Sequence, residues 1–257
     1  MMGIGIRASI AIGKRELIRQ VRQPSRILAS ILTPMLIWLF IVGGFSNALS
    51  QSNAQTQLST YMIPGVASLT VMFSSIFASI SLIQDRHEGV LRAALISPAP
   101  RWSIVIGKVL AGSLIALVQG LVILAALPFL GVDLSVIGVI GACAGLACIS
   151  AALIGLGLGL AWIVDSSQGF HGIMNAVLMP MWLTSGAVFP INEASGWLRS
   201  IAMLNPLSWA HSAVRSSLGM QGIADTSASF AWGITIFFAV GGVALATWTL
   251  GRVQRRS

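Results

Sequence analysis

The side chains able to do chemistry are few in this 257-residue chain: seven Asp and Glu, three His and two Cys. His87, His171 and His211 are spread too widely to read as a metal-ligand cluster. No GxxxxGK[ST] phosphate loop, HExxH helix or GxSxG turn occurs, so none of these routes to hydrolysis is written in the chain. Cys143 and Cys148 stand five apart on a helical stretch and point in different directions, which suits packing rather than a bridge. Asp133, Asp165 and Glu193 fall at the ends of apolar stretches, where solvent or lipid headgroups satisfy them. A carrier driven by protons or sodium needs an ionisable group inside its spans, and no carboxylate pair is placed there. The sequence therefore reads as a protein without its own energy source or cofactor, and not as an enzyme by itself.

The elements that would position any site are apolar helices. Charged residues make up 9% of the chain and hydrophobic residues 56%, whereas a soluble domain carries about a quarter charged. No charge occurs between Arg26 and Asp85, nor in 109–132, 134–164 or 226–251. Each of these stretches reaches the roughly 20 residues that cross a bilayer as a helix. They do not alternate as barrel strands do. The expected fold is an all-α polytopic membrane protein, a single transmembrane domain over 1–257 with six transmembrane helices at 27–45, 61–83, 103–127, 135–164, 170–189 and 230–250. Glycines in the fourth span, notably Gly141, Gly145, Gly155 and Gly159, let helix backbones approach closely; packing within the chain is favoured over a dimer seam.

The charges order this array. Arg7 to Arg26, Arg86 to Lys108 and Arg252 to Arg256 hold all but two of the fifteen Lys and Arg residues. With six crossings these segments share one side, which the positive-inside rule makes cytoplasmic, together with both termini. The outer segments 47–60, 131–133 and 190–229 carry only Arg199 and Arg215. This placement, rather than the net charge of +8, decides against nucleic acid as a partner and for the lipid bilayer. The basic start is too long for the leader of a signal peptide. Over 4–22, Ile6, Ile10, Gly13, Leu17 and Val21 recur at helical spacing, with Arg15, Arg19, Arg22 and Arg26 on another face. That predicts an amphipathic interface helix, its basic face toward anionic lipid, ended near Pro24.

Two segments stand out from the spans. Residues 85–98 begin charged, continue through a short apolar run from Val90 to Ile96, and stop at Ser97-Pro98. A short helix here, with Leu91 and Leu95 at i and i+4, would fit a groove on a soluble partner. The outer segment 190–229 is too apolar for a solvated loop and too short in each apolar piece to span, which predicts two short re-entrant helices broken at Asn205-Pro206.

These two segments carry a family resemblance. Glu88, Gly89, Leu91, Leu95, Ser97, Pro98 and the later Gly107-Lys108 resemble the pattern E-G-T-L-E-x-L-L-x-[ST]-P, followed by Gly-Lys, of the membrane subunits of type-2 ABC exporters. Val90 stands where Thr is usual and Arg92 where an acidic residue is usual. Ser185-Gly186, Phe189-Pro190, Trp197-Leu198, Asn205-Pro206-Leu207 and Arg215 follow the family's second motif in order and spacing. The resemblance covers nearly the whole chain. It implies a permease that works as a pair, a homodimer for choice, bound to two copies of an ABC ATPase that carry the ATP and Mg. It makes Glu88, Gly89, Leu91, Arg92 and Leu95 the ATPase-coupling helix, Gly186, Pro190, Asn205, Pro206 and Arg215 the outer re-entrant motif, and the bacterial inner membrane the location. The Arg92 departure argues against an acidic contact with the ATPase at that position.

The first and fifth spans would line the path. Met35, Trp38, Met179 and Trp182 lie well inside them, and soft Met-rich surfaces suit hydrophobic or amphiphilic, drug-like or lipid-linked substrates. The alternatives are a polysaccharide or lipo-oligosaccharide export permease, or a membrane assembly or scaffold protein using the same fold without transport. A passive channel is disfavoured by the lack of polar lining on the spans.

Overall fold

A computed structural model describes residues 2–44, 54–97, 99–223 and 226–252. Ten α-helices account for most of them: α1 Met2–Val21, α2 Pro24–Gly44, α3 Ala54–His87, α4 Val90–Ile96, α5 Trp102–Leu124, α6 Val136–Ala161, α7 Ser167–Leu183, α8 Gly196–Leu204, α9 Pro206–Ser217 and α10 Ala228–Arg252. Among the described residues there is no strand. Part of the outer loop expected at 47–60, Pro98, and the last basic residues after Arg252 lie outside them.

Five helices, α2, α3, α5, α6 and α10, are long and apolar enough to cross a membrane. α3 is their hub and packs on α2, α5, α6, α7 and α9. Its serines and threonines fit this apolar setting because they bond back along the helix. Ser68 donates to the Pro64 carbonyl, Thr70 to Val66, Ser75 to Val71 and Ser79 to Ser75, at 2.7–3.0 Å. A buried hydroxyl satisfied this way no longer carries the cost of an unpaired polar group. α2 is the opposite case, with only 17% of its apolar stretch covered by the rest of the chain.

The glycines of α6 pack within the chain. A side-chain carbon on Gly155 would stand 2.4 Å from the backbone of Gly242 in α10, and one on Gly242 would stand 2.5 Å from the Ala152 carbonyl. Gly141 and Gly145 face Ser217 and Val214 of α9 in the same way. Small residues here let two backbones meet.

Several boundaries differ from expectation, beginning with α3, which starts at Ala54 rather than 61. α3 runs past 83 and takes Asp85, Arg86 and His87 into its last turn, so the 85–98 segment is divided between two helices. Gly89 makes the division: its φ of 76° is left-handed, which ends α3 and restarts the chain as α4. The fifth segment, expected as a span over 170–189, is helical only from Ser167 to Leu183 and turns at 184–189 through Gly186, φ 80°. Its 17 residues reach about 25 Å, somewhat less than the hydrocarbon core. The break at Asn205-Pro206 is where it was expected, between α8 and α9.

Candidate functional site

The basic face of α1 does not simply look out at lipid. α1 crosses the start of α5 so closely that a side-chain carbon on Gly107 would stand 2.7 Å from the Ser9 carbonyl. Gly5, Ser9 and Glu16, one helical face at intervals of four and seven, are buried in this contact, while Ile6, Ile10 and Val21 stay exposed. Glu16 accepts from Lys108 Nζ of α5 at 3.1 Å. Lys108 also donates to Ser81 Oγ at 2.8 Å and pairs with Asp85 at 2.5 Å, both on α3. Arg15 reaches both oxygens of Asp85 at 2.8 Å. Arg19 adds Asp85 Oδ1 and Gln84 Oε1, each at 2.7 Å. Glu16, Asp85 and Lys108 are at most 2% exposed. Burial raises the pKa of Glu16, yet the Lys108 and Arg19 charges and the hydrogen bonds outweigh it and hold the carboxyl below its ordinary value.

This network of five charged side chains, joined by Ser81 and Gln84, ties α1, the end of α3 and the start of α5 into one piece. The next residue of α3 is anchored to another helix. Arg86 donates to the carbonyls of Ala161 and Trp162 at 2.9 and 2.8 Å, pairs with Asp165, and lies over the Trp162 ring. It thereby satisfies the open C-terminal carbonyls of α6. His87 Nε2 lies 3.0 Å from the Asp165 carbonyl.

Immediately beyond these anchors come Glu88, Gly89 and α4. Leu91 is 4% exposed and packs into the main core, and Leu95 is half-buried against the same core. Of the two leucines expected as anchors for a partner, Leu91 is turned into the chain's own core and Leu95 keeps part of its surface open. The outward face of α4 is Arg92 and Ile96, the latter 87% exposed, with Glu88 and Gly89 exposed beside it.

At the other end the second motif closes a set of backbone contacts. Asn205 caps α9 by accepting from the Leu207 N–H at 2.9 Å, and its Nδ2 donates to the Met181 carbonyl at 2.6 Å. Arg215, buried, donates to the Gln221 and Tyr61 carbonyls at 2.7 and 2.8 Å and lies over the Tyr61 ring. Tyr61 in turn donates to the Gly186 carbonyl at 2.7 Å. Pro190 leads a short 3-10 turn, Ile191–Glu193, whose Ile191 side chain packs on Gly186. The motif residues thus gather where the start of α3, the end of α7 and α9 meet, and Pro206 opens α9.

Residues 7–218 match the family model described as ABC-2 type transporter. The chain belongs to that family. Its relatives include "Putative transport permease ycf38" of Cyanophora paradoxa, 27% identical over 206 residues that cover 79% of this chain and 71% of that one. "Probable multidrug ABC transporter permease YbhR" of Escherichia coli (strain K12) is 29% identical over 155 residues, 57% of this chain and 40% of the relative. "Daunorubicin resistance ABC transporter permease protein DrrB1" of Streptomyces coeruleorubidus is 26% identical over 217 residues, 79% and 72% of the two chains.

For a member of this permease family the four residues expected along the path are placed unequally. Met35 is exposed on α2 and Trp38 half-buried there. Met179 on α7 is half-buried, and Trp182 is enclosed, its indole N–H donating to the Gly65 carbonyl of α3 at 2.8 Å. Trp182 therefore fastens α7 to α3 in this permease. The residues that sequence reasoning missed are Glu16, Asp85 and Lys108 as a set. A signal existed: Glu16 shares its helix face with the small residues Gly5 and Ser9 rather than with the arginines' outer face. Among the described residues no three His, Cys, Asp or Glu side chains gather as a metal site would need.

Proposed function

We propose that the chain is the permease half of an ATP-driven exporter that moves a hydrophobic or amphiphilic compound out of the cytoplasm or the inner leaflet. α2, α3, α5, α6, α7 and α10 are the six spans, with both termini cytoplasmic in a bacterial inner membrane. Two copies join two ATPase subunits, and ATP and Mg bind on those partners. One observation carries the reading: a buried ion network locks α1, α3 and α5 together directly behind a short helix whose remaining free face is Arg92 and Ile96. A push on α4 from a soluble partner reaches α3 across the two residues Glu88 and Gly89. From α3 it passes to α1 and α5 through Asp85 and to α6 through Arg86. Packed side chains, ion-pair networks and rigid helices of this kind carry coupling between distant sites. The relatives named for multidrug transport and daunorubicin resistance support a drug-like substrate class.

The test is transport into inside-out vesicles containing the chain and the ATPase from its neighbouring reading frame, with daunorubicin as the probe. ATP-dependent accumulation that requires both proteins is expected. Accumulation without the chain, or no accumulation of daunorubicin or other amphiphilic cations, would contradict the substrate class.

A further inference from the structure

A cavity of about 240 Å³ lies at the outer end of the bundle, among α3, α9 and the turns that follow α7 and α9. Tyr61, Glu193, His211, Ser212 and Arg215 line it. His211 is 1% exposed. Its Nδ1 lies 3.4 Å from Ser68 Oγ, whose own proton goes to the Pro64 carbonyl at 3.0 Å. A hydroxyl has one proton to give, and assigning it to the Pro64 carbonyl makes Nδ1 the donor in this pair. In the neutral ring Nε2 is then a bare lone pair, and among the described residues it has no hydrogen-bond partner. A buried acceptor left this way costs free energy that a donor in the cavity would recover.

The charges on the same wall narrow the ligand. Arg215 is a buried cation held on two carbonyls, and Glu193 is an exposed carboxylate. A simple cation would meet Arg215, and a simple anion would meet Glu193 and the Nε2 lone pair. A ligand carrying both signs meets neither conflict. The volume is below the roughly 300–1,000 Å³ of pockets that hold drug-sized molecules, so the cavity suits a headgroup-sized ligand. Ser68 lies 17 positions from Asp85 on α3, about 26 Å, and Tyr61 about 36 Å. With a hydrocarbon core of about 30 Å, the cavity runs from headgroup level into the outer leaflet.

We propose that this cavity binds a small zwitterion with a primary ammonium, which donates to His211 Nε2 and faces Glu193 while its anionic group lies toward Arg215. The same chemistry is offered by the ethanolamine phosphate headgroup of an outer-leaflet lipid and by a free zwitterion. The site is independent of the transport reading and depends on the geometry of the cavity.

The full-length chain, labelled with 15N-histidine, is placed in phosphatidylcholine nanodiscs, and the Nε2 resonance of His211 is assigned by its loss in His211→Gln. Choline has no N–H to donate, so the resonance there should be that of an unprotonated nitrogen with a free lone pair. Adding phosphatidylethanolamine to the bilayer, or soluble phosphoethanolamine to the buffer, should move it to the hydrogen-bonded position. A response to the lipid alone identifies the headgroup as ligand, and a response to the soluble compound alone identifies a free zwitterion. No movement in either arm, or a protonated Nε2 in phosphatidylcholine, would overturn the proposal and leave water as the occupant. Glu193→Gln, at an exposed position, should weaken the apparent affinity about tenfold through loss of one charge-assisted contact. An unchanged affinity would overturn the zwitterion assignment.

Discussion

Glu16 is a carboxylate with no exposed surface, held by a lysine 92 residues further along the chain. Removing one partner of such a pair leaves an uncompensated buried charge, which costs about 3–5 kcal/mol. Lys108→Met should therefore lower the unfolding midpoint in detergent sharply, and Glu16→Gln added to it should restore part of the loss. A single substitution that leaves the midpoint unchanged would mean that the pair is not buried. The pair also sets a pH dependence. Because the folded Glu16 has its pKa below the ordinary 4.5, its contribution is complete above that value and is lost as pH falls through the lowered one. Wild type should lose stability on acidification through this range more steeply than Glu16→Gln, as read by thermal melts at stepped pH. Local sequence carried the small-residue face that Glu16 shares with Gly5 and Ser9, but not the partners of that carboxylate. Asp85 and Lys108 looked like ordinary members of a positive-inside loop, and only the crossing of α1 over α5 at Gly107 brings them to Glu16.

The helices themselves were far more legible than their partners. Uncharged runs long enough to span gave α2, α3, α5, α6 and α10 to within a few residues at most ends, and Asn205-Pro206 gave the break between α8 and α9. Ends set by backbone geometry were less visible: α3 continues to a left-handed Gly89, and α7 stops early because the chain turns through Gly186. The inward rotation of α4 was also hidden, since a two-turn helix with Leu91 and Leu95 has the same pattern whichever body covers them. Close helix crossings give a test at this scale. Gly155→Val would force apart α6 and α10, and overpacking of this kind costs about 1–3 kcal/mol. Gly241→Ala, with nothing among the described residues within 4 Å of the added carbon beyond its own helix backbone and chain neighbours, should be tolerated. Equal melting temperatures for the two variants would contradict the α6–α10 crossing. Leu91→Asp should unfold the α4 end of the bundle by placing a charge in the core, whereas Arg92→Glu, on the outward face, should leave the fold intact.

For the whole molecule, the positive-inside asymmetry makes a topological prediction. With Cys143 and Cys148 replaced by Ala, a cysteine at Ser195 should react with an impermeant thiol reagent in intact cells, and one at Ser97 should react only after lysis. The reverse pattern would invert the chain in the membrane. The central claim is that α4 receives the force of ATP hydrolysis through its exposed face and passes it to the charged base of the bundle. The most direct measurement is substrate-stimulated ATP hydrolysis by the reconstituted complex carrying Ile96→Asp, a position 87% exposed within the chain. The account predicts a permease that melts like wild type but whose ATPase is no longer stimulated by substrate or no longer co-purifies. Wild-type stimulation and wild-type co-purification in this variant would contradict it and place the coupling surface elsewhere.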